Sequence, residues 1–338
     1  MMSRTSSILI TGASGEIGHS LIERLAAGPQ PVITLDLNAL APEHGKKVRK
    51  EFVGSILDNS LLERIHAEYE IDRVYHLAAL LSTRSEFSPA LAHKVNVEGT
   101  LNLLEFAQKA GESHGRPVVF FYPSSIAAHG LANAEIKLAV GKVREDDHLH
   151  PTTMYGANKL YCEHLGRYYG KHYKQLSANA LGKIDFRCIR FPGLISATTA
   201  PSGGTSDFVP EMIHAAAKGE PYACFVRPDT RIPFMAMPDA VAAIQHLMDA
   251  PQTQLRRVVY NIGAFAPSAE EVRVVVMRAF PGAEISWEID AKRQGIVDSW
   301  PADVDDSAAR HDWGHAPRYG FDAAFGEYLI PTIRNRYA

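Results

Sequence analysis

The sequence predicts an α/β fold, a parallel sheet wound on both faces by helices, with a smaller lobe following it. Three observations carry that reading. Short apolar runs alternate with longer amphipathic ones through the first half, a glycine-rich turn follows the first run at once, and the alternation loosens after Phe191. Strands that are apolar along nearly their whole length belong to a sheet buried on both faces, and strand–helix alternation makes such a sheet parallel.

In chain order, "SSILITG" reads as a strand and the segment from Glu16 to Ala27 as a helix stopped by Gly28 and Pro29. "PVITLD" is the next strand. "DRVYHLAA" and "PVVFFYPSS" are two more, each preceded by a helical stretch, over 58–69 and 88–111. The stretch 131–147, "LANAEIKLAVGKVREDD", reads as an exposed insertion. A helix near 153–173 and the strand "IDFRCIRF" continue the alternation, a helix is expected over 207–217, and "MPDAVAAIQHLM" should pack back on the large domain. This order is that of a Rossmann-type doubly wound sheet with a smaller C-terminal substrate-binding lobe. The expected division is a nucleotide-binding domain over 1–192, with 233–262 packing back on it, and a smaller lobe from 193–232 and 263–338.

The 338 residues, 46% of them hydrophobic and 22% charged, put the chain among ordinary soluble globular proteins. A formal charge of −3 supplies no attraction to nucleic acid or an anionic membrane, and neither is expected as a partner. No apolar run approaches the roughly 18 residues that span a bilayer. "MMSRTSSILITG" carries no signal-peptide core, so a cytoplasmic location is expected. Cys162, Cys188 and Cys224 are too scattered for a disulfide framework or a paired-cysteine zinc site. His148 and His150, in "DDHLHP", read as a solvated loop, and no metal is expected.

Among 25 glycines a Gly-rich spacing alone says little, but "ITGASGEIG" places Gly12, Gly15 and Gly18 between a strand and a helix. A pyrophosphate needs this arrangement: backbone that can be approached closely, beside the free N–H groups and positive dipole end of a helix. Asp36 ends the second strand, where the adenosine ribose of such a ligand lies. A carboxylate there accepts from both ribose hydroxyls and repels a 2′-phosphate by about 4 kcal/mol per charge pair at contact, for an effective dielectric of about 20. The expected cofactor is therefore NAD rather than NADP.

"TTMYGANKLYCEH" sets Tyr155 and Lys159 four apart on one helix face, and no other tyrosine has a lysine at that offset. A phenol needs a nearby cation to act as a base near neutral pH. The pair is a weak signal alone and a specific one beside the nucleotide turn and the hydroxyls Ser124 and Ser125, which end the fifth strand.

With these motifs the chain resembles the short-chain dehydrogenase/reductase superfamily, in the extended branch that holds nucleotide-sugar epimerases and dehydratases. The resemblance implies that Tyr155 is the acid/base, that Lys159 lowers its pKa and holds the nicotinamide ribose, that Ser125 orients the substrate oxygen, and that Asn96 supports the lysine through water. Nucleotide-sugar enzymes of this branch clamp a diphosphate with an asparagine after the sixth strand and a later Arg-Asp pair. Here those places read "RFPGLIS" and "RIPFMAMPD", with Arg231 one position off register.

In these departures, and in "YHLAALLS", "YPSSIAAHG", "GGTSD" and "RQGIVDSWPADVDDSAARHDWG", the chain is similar to the NAD-dependent L-threonine 3-dehydrogenases of the short-chain type over nearly its whole length. That likeness implies oxidation of L-threonine to 2-amino-3-oxobutanoate. NAD would meet Gly12, Ser14, Gly15, Glu16, Ile17 and Gly18, then Asp36, Leu37, Asn38, Ser55 and Ile56 around the adenosine. Leu77, Ala78, Ala79, Asn96, Tyr155, Lys159, Pro192 and Ile195 would complete its site. Substrate would meet Ser82, Ser124, Ser125, Tyr155, Gly193, Gly204, Thr205 and Trp300, with Trp300 packing the smaller lobe over the site. A homodimer through the helices near 88–111 and 152–173 is also implied. Ser55 stands where these enzymes usually carry an acid, and 131–147 is longer than their pattern.

"APSGGTSD", residues 200–207, is either a linker or a loop that grips a carboxylate, and the second reading is preferred. Gly203 and Gly204 can leave backbone N–H groups uncovered, Thr205 adds a hydroxyl, and Asp207 starts a helix whose N-terminus favours an anion. The rival readings are an NAD-dependent nucleotide-sugar epimerase or dehydratase and a non-catalytic NAD-sensing scaffold.

Overall fold

The structure is a computed structural model that describes residues 6–201 and 203–338. The first five residues of the N-terminal segment, and Ser202 within the 200–207 loop, lie outside the described residues. Seven strands build the central sheet: β1 (Ser6–Thr11), β2 (Val32–Asp36), β3 (Lys50–Val53), β4 (Glu70–His76), β5 (Val118–Ser125), β6 (Ile184–Phe191) and β7 (Val259–Asn261). They lie in the order β3-β2-β1-β4-β5-β6-β7, and every neighbouring pair is parallel. The winding reverses between β1 and β4, so the loops leaving their C-terminal ends diverge and open a crevice there, the usual ligand position in such sheets.

Alternation along the strands feeds two apolar clusters. Leu9 and Phe120 face one side with Leu103, Leu104 and Phe106, while Ile8, Ile10 and Phe121 face the other with Leu21, Ile22, Val241 and Ile244. The helices that matter to the site are α1 (Glu16–Leu25), α2 (Asn59–Glu68), α3 (Ser82–Phe87), α4 (Gly99–His114), α5 (Ala134–Val140), α6 (Met154–Lys171), α7 (Phe208–Lys218), α8 (Met237–Asp249) and α9 (Ala291–Asp298). The apolar face of α8 packs beside α1 in the second of these clusters. A third cluster joins Phe208, Met212 and Ile213 of α7 to Phe225, Phe234, Val297, Trp300 and Phe325, and it also takes in Ile126 and Ala127 just past β5. Two short strands outside the sheet, Gly193–Ile195 and Phe234–Ala236, pair in parallel and carry the chain from β6 into that third cluster.

Several expectations need revision. The edge strand β3 is not among the runs the sequence marks, because Phe52 is its single buried residue. The helix expected over 88–111 continues to His114, where Gly115 at φ +82° ends it, and it passes through a π-helical stretch at Lys94–Glu98. Most of the 131–147 stretch is exposed, as expected, but it is anchored at four points. Leu131, Lys137, Val143 and Glu145 are all buried. Asn133 caps α5 by accepting from the Ile136 N–H at 2.9 Å, and Lys142–Val143 pairs in parallel with Asp303–Val304. Lys137 Nζ donates to the Val297 carbonyl at 2.9 Å, at the C-terminal end of α9 where a cation is favoured, and Leu131 N–H donates to the Ser299 carbonyl at 2.8 Å. This stretch is thus a strap between the exit of β5 and the region around residues 297–304. Among the described residues, no helix is long and apolar enough to cross a membrane.

Candidate active site

The nucleotide turn is shaped by two glycines and left open at a third. Gly12 sits at φ +69°, and a Cβ there would lie 2.5 Å from the Ala78 nitrogen, so the turn closes directly onto the 77–78 backbone. A Cβ on Gly18 would lie 2.5 Å from the Ala13 carbonyl oxygen, so only glycine lets α1 approach the end of β1. Gly15 is exposed and caps α1 without a side-chain bond, leaving the first-turn N–H groups of Glu16, Ile17 and Gly18 for an anion. Asp36 accepts from the N–H of Ser14 at 3.0 Å and of Asn38 at 2.9 Å, which fixes its carboxylate at the crevice rim beside Leu37, 71% exposed. An open helix N-terminus, a glycine cradle and a carboxylate on the next strand fit an adenine dinucleotide.

Other expected cofactor residues serve the frame. Ser55 Oγ accepts from Leu57 N–H at 3.1 Å within its own turn, and Ile56 is buried, with a Gly99 Cβ position 2.4 Å from its Cδ1. Leu77 N–H donates to the Thr11 carbonyl at 2.9 Å, and Leu77, Ala78 and Ala79 line the loop half-buried. The Ile195 side chain is wholly inside the third cluster, Pro192 is buried, and Gly193 is packed against Phe234, where a Cβ would come within 2.6 Å of the ring. These three therefore offer a ligand little beyond backbone. His76, at the end of β4, is bonded to Thr11 at 2.8 Å and Thr100 at 2.9 Å; burial, then the charge of Lys159, hold its pKa down to about 3, so the ring is neutral.

The end of β5 sends its two serines to opposite faces. Ser125 is half-buried, its Oγ accepting from the Ala127 N–H at 3.2 Å. Ser124, expected at the substrate, is turned inward by the strand's alternation and donates to Glu163 at 2.5 Å. Glu163, on α6, is gripped by Arg190 through Nε at 2.8 Å and Nη2 at 2.6 Å, and Arg190 Nη1 also donates to the Glu145 carbonyl at 2.6 Å. This buried, bidentate pair fixes α6 against β6.

Helix α6 starts where Thr153 Oγ1 accepts from the Gly156 N–H at 3.0 Å, and Glu86 of α3 accepts from the Met154 N–H at 2.7 Å. Gly156 touches the turn after β5 so closely that a Cβ would sit 2.0 Å from the Ala127 carbonyl oxygen. That contact brings the first turn of α6, with Tyr155, up against the turn that Ser125 caps. Lys159 Nζ donates to the Pro123 carbonyl at 2.6 Å and lies 4.7 Å from the Tyr122 ring centre and 5.4 Å from that of Tyr155. Burial pushes the Tyr155 phenol up and brings the Lys159 ammonium down to about 8. Burial is the leading cause for both groups, and the ammonium's hydrogen-bond partner is the Pro123 carbonyl. Asn96 spends its amide on Leu80, accepting from the N–H at 2.7 Å and donating to the carbonyl at 3.1 Å, so it tethers the 77–82 loop.

On the far wall, Thr205 Oγ1 meets Ser82 Oγ at 3.4 Å, and Thr83 Oγ1 donates to the Gly203 carbonyl at 3.2 Å. The Gly204 N–H, expected to be uncovered, donates to the Asp207 carboxylate at 2.6 Å. Trp300 is buried in the third cluster, against which Tyr155 also packs. Sequence reasoning missed Gly156, Glu163, Arg190 and Thr83; their contacts are with partners far away in the chain. Among the described residues, no group of three or more His, Cys, Asp or Glu side chains is placed to hold a metal ion.

Residues 8–263 match the NAD dependent epimerase/dehydratase family. The chain is 35% identical, over 97% of its length and 82% of the relative's, to "L-threonine 3-dehydrogenase, mitochondrial" of Bos taurus. A solved monomeric L-threonine 3-dehydrogenase from a metagenome superposes with a TM-score of 0.85 at 35% identity, over 98% of this chain and 100% of that one. The holo form of a GalE-like L-threonine dehydrogenase from Cupriavidus necator gives 0.81 at 34% identity, over 98% of each chain. A match spanning most of the chain, with relatives and folds that agree with it, makes this protein a member of the NAD-dependent epimerase/dehydratase family.

Proposed function

We propose that the protein oxidises L-threonine at its β-carbon to 2-amino-3-oxobutanoate, with NAD as cofactor. The observation that carries this choice is the 3.4 Å approach of the Thr205 hydroxyl to that of Ser82. Two adjacent hydroxyls can both donate to one carboxylate, which suits an amino-acid substrate. Arg231, the nearest candidate for a diphosphate clamp, is committed instead to the Ala266 carbonyl at 2.8 Å and to Glu271 at 2.8 Å.

In this reading the first-turn amides of α1 hold the pyrophosphate and Asp36 holds the adenosine ribose while disfavouring a 2′-phosphate. When bound, NAD supplies the acceptor for the hydride that leaves the β-carbon. Tyr155, in its ionised form, takes the β-hydroxyl proton, and Ser125 hydrogen-bonds the same oxygen as it becomes a carbonyl. Lys159 stabilises the ionised tyrosine through its charge. Thr205 and Ser82 hold the carboxylate, so Thr205→Val should raise KM for threonine about tenfold, the effect of losing one hydrogen bond to a charged group. Initial-rate kinetics test this, and an unchanged KM returns residues 203–207 to the role of a linker.

The same reading divides the chain into a cofactor domain over 1–192, with 233–262 packed on it, and a substrate lobe from the remainder. It also makes the protein a homodimer. Leu91, Tyr161 and Tyr168 are between 41% and 52% exposed on the helices expected to form the interface, and Phe87, 84% exposed, ends α3 just before the first of them. Sedimentation should give a dimer that Phe87→Asp weakens; a wild-type monomer, the state named for the metagenomic neighbour, refutes this point. A reducing compartment such as the cytoplasm suits three buried, unpaired cysteines.

A further inference from the structure

The 203–207 loop is held from two sides through successive carbonyls. Gly203, at φ +81°, presents its oxygen to Thr83 of α3 at 3.2 Å, and Gly204 presents its oxygen to Arg293 Nη2 of α9 at 2.7 Å. The Arg293 guanidinium is fixed in place. It lies 3.2 Å from the ring centre of the buried Phe225, and Glu211 of α7, which accepts from the Tyr222 hydroxyl at 2.9 Å, stands 3.9 Å from it. A planar cation stacked on a packed aromatic ring is a rigid donor. The Gly204 N–H donates to the Asp207 carboxylate, which fixes the peptide before Gly204, and the Gly204 carbonyl also accepts from the Asp207 N–H at 3.1 Å, so the peptide following Gly204 is held by Arg293 on one side and by the start of α7 on the other. The next residue is Thr205, 5% exposed, with its hydroxyl at Ser82.

We propose that Arg293 is a positioning residue for substrate: by holding the Gly204 carbonyl from its seat on Phe225, it sets the Thr205 hydroxyl opposite Ser82. This rests on the reading of Thr205 as a carboxylate ligand. Arginine is required because lysine can donate the bond but cannot stack as a plane or fork.

The test is initial-rate kinetics on the full-length, NAD-saturated enzyme, for Arg293→Met, Arg293→Lys, Thr205→Val and the Thr205→Val/Arg293→Met double variant. Arg293→Met should raise KM for L-threonine on the order of tenfold, as expected when an ordered hydrogen bond is lost, while kcat and the Kd for NAD stay within about threefold. Arg293→Lys should recover part of that loss. The double variant should match Thr205→Val alone, because residues acting in series are not additive. Multiplying effects in the double variant overturn the proposal, as does an unchanged KM in Arg293→Met when Thr205→Val raises it. Parallel losses of kcat, NAD affinity and melting temperature in both Arg293 variants also overturn it, since they mark a general structural role. An unchanged KM in Thr205→Val sinks the carboxylate reading itself, which separates that failure from this one.

Discussion

Burial acts in opposite directions on Tyr155 and Lys159, raising the phenol and bringing the ammonium down to about 8. The two side chains share a helix face, with Lys159 Nζ 5.4 Å from the tyrosine ring centre, so the charge of one acts on the other. Loss of one proton leaves either a phenol beside an amine or a phenolate beside an ammonium, and these two forms carry the same charge. In the proposed mechanism the base-competent form is reached as this first proton is lost, near the value of about 8 to which burial brings Lys159, rather than at the ~10 of a free phenol. We predict that kcat/KM for threonine rises with pH through an apparent pKa of about 8, and that Lys159→Met removes this step. A pH–rate profile of the wild type that is flat from neutral to alkaline pH, with chemistry rate-limiting, contradicts the coupling.

At the scale of elements, the strap over 131–147 explains how a short helix can be stable. Helix α5 has seven residues, too few to persist alone, and it is held by a cap at Asn133 and by the insertion of Lys137 against the end of α9. Burial lowers Lys137 to about 8 from an ordinary 10.5. Between those values the unfolded chain binds the extra proton, so stability rises as pH increases through that range, and the cost of the buried cation is greatest below pH 8. In urea unfolding, wild type should gain about 2 kcal/mol relative to Lys137→Met between about pH 7 and 9.5. A difference that does not change with pH means that the fold leaves the Lys137 pKa at its ordinary value, with the ammonium charged throughout that range. The strap was illegible in the sequence because its partners lie far along the chain, at Val297, Ser299 and Asp303–Val304. Strand β3 was missed for a related reason: an edge strand that buries only Phe52 carries no apolar run. The inner strands were legible because both faces are buried; every residue of β6 is.

For the whole molecule, the winding reversal between β1 and β4 places the nucleotide turn and the 77–79 loop at one crevice, and β5 delivers Ser125 to the same end of the sheet. The parts of this site that could be read directly, Gly12, Asp36, Ser125, Tyr155 and Lys159, each have a local signature: a turn, a strand end or a helical offset. Contacts that assemble them span longer distances. Glu163 meets Arg190 27 residues on, and Arg293 reaches back 89 residues to Gly204. No local pattern announces such pairs, and burial turned Ser124 and Ile195 away from roles that their positions in the chain suggested.

The most direct test is the formation of NADH, followed at 340 nm, with the purified protein and NAD against L-threonine, L-serine, L-allo-threonine, simple 2- and 3-hydroxy acids, UDP-glucose and dTDP-glucose, with sugar products assayed in parallel. NADH should form fastest with L-threonine, with a kcat of about 1 s⁻¹ or more, as for ordinary enzymes. The sugar nucleotides should be neither oxidised nor epimerised. Conversion of a nucleotide sugar without net NADH, together with no oxidation of L-threonine, contradicts the proposal that this site acts on an amino acid.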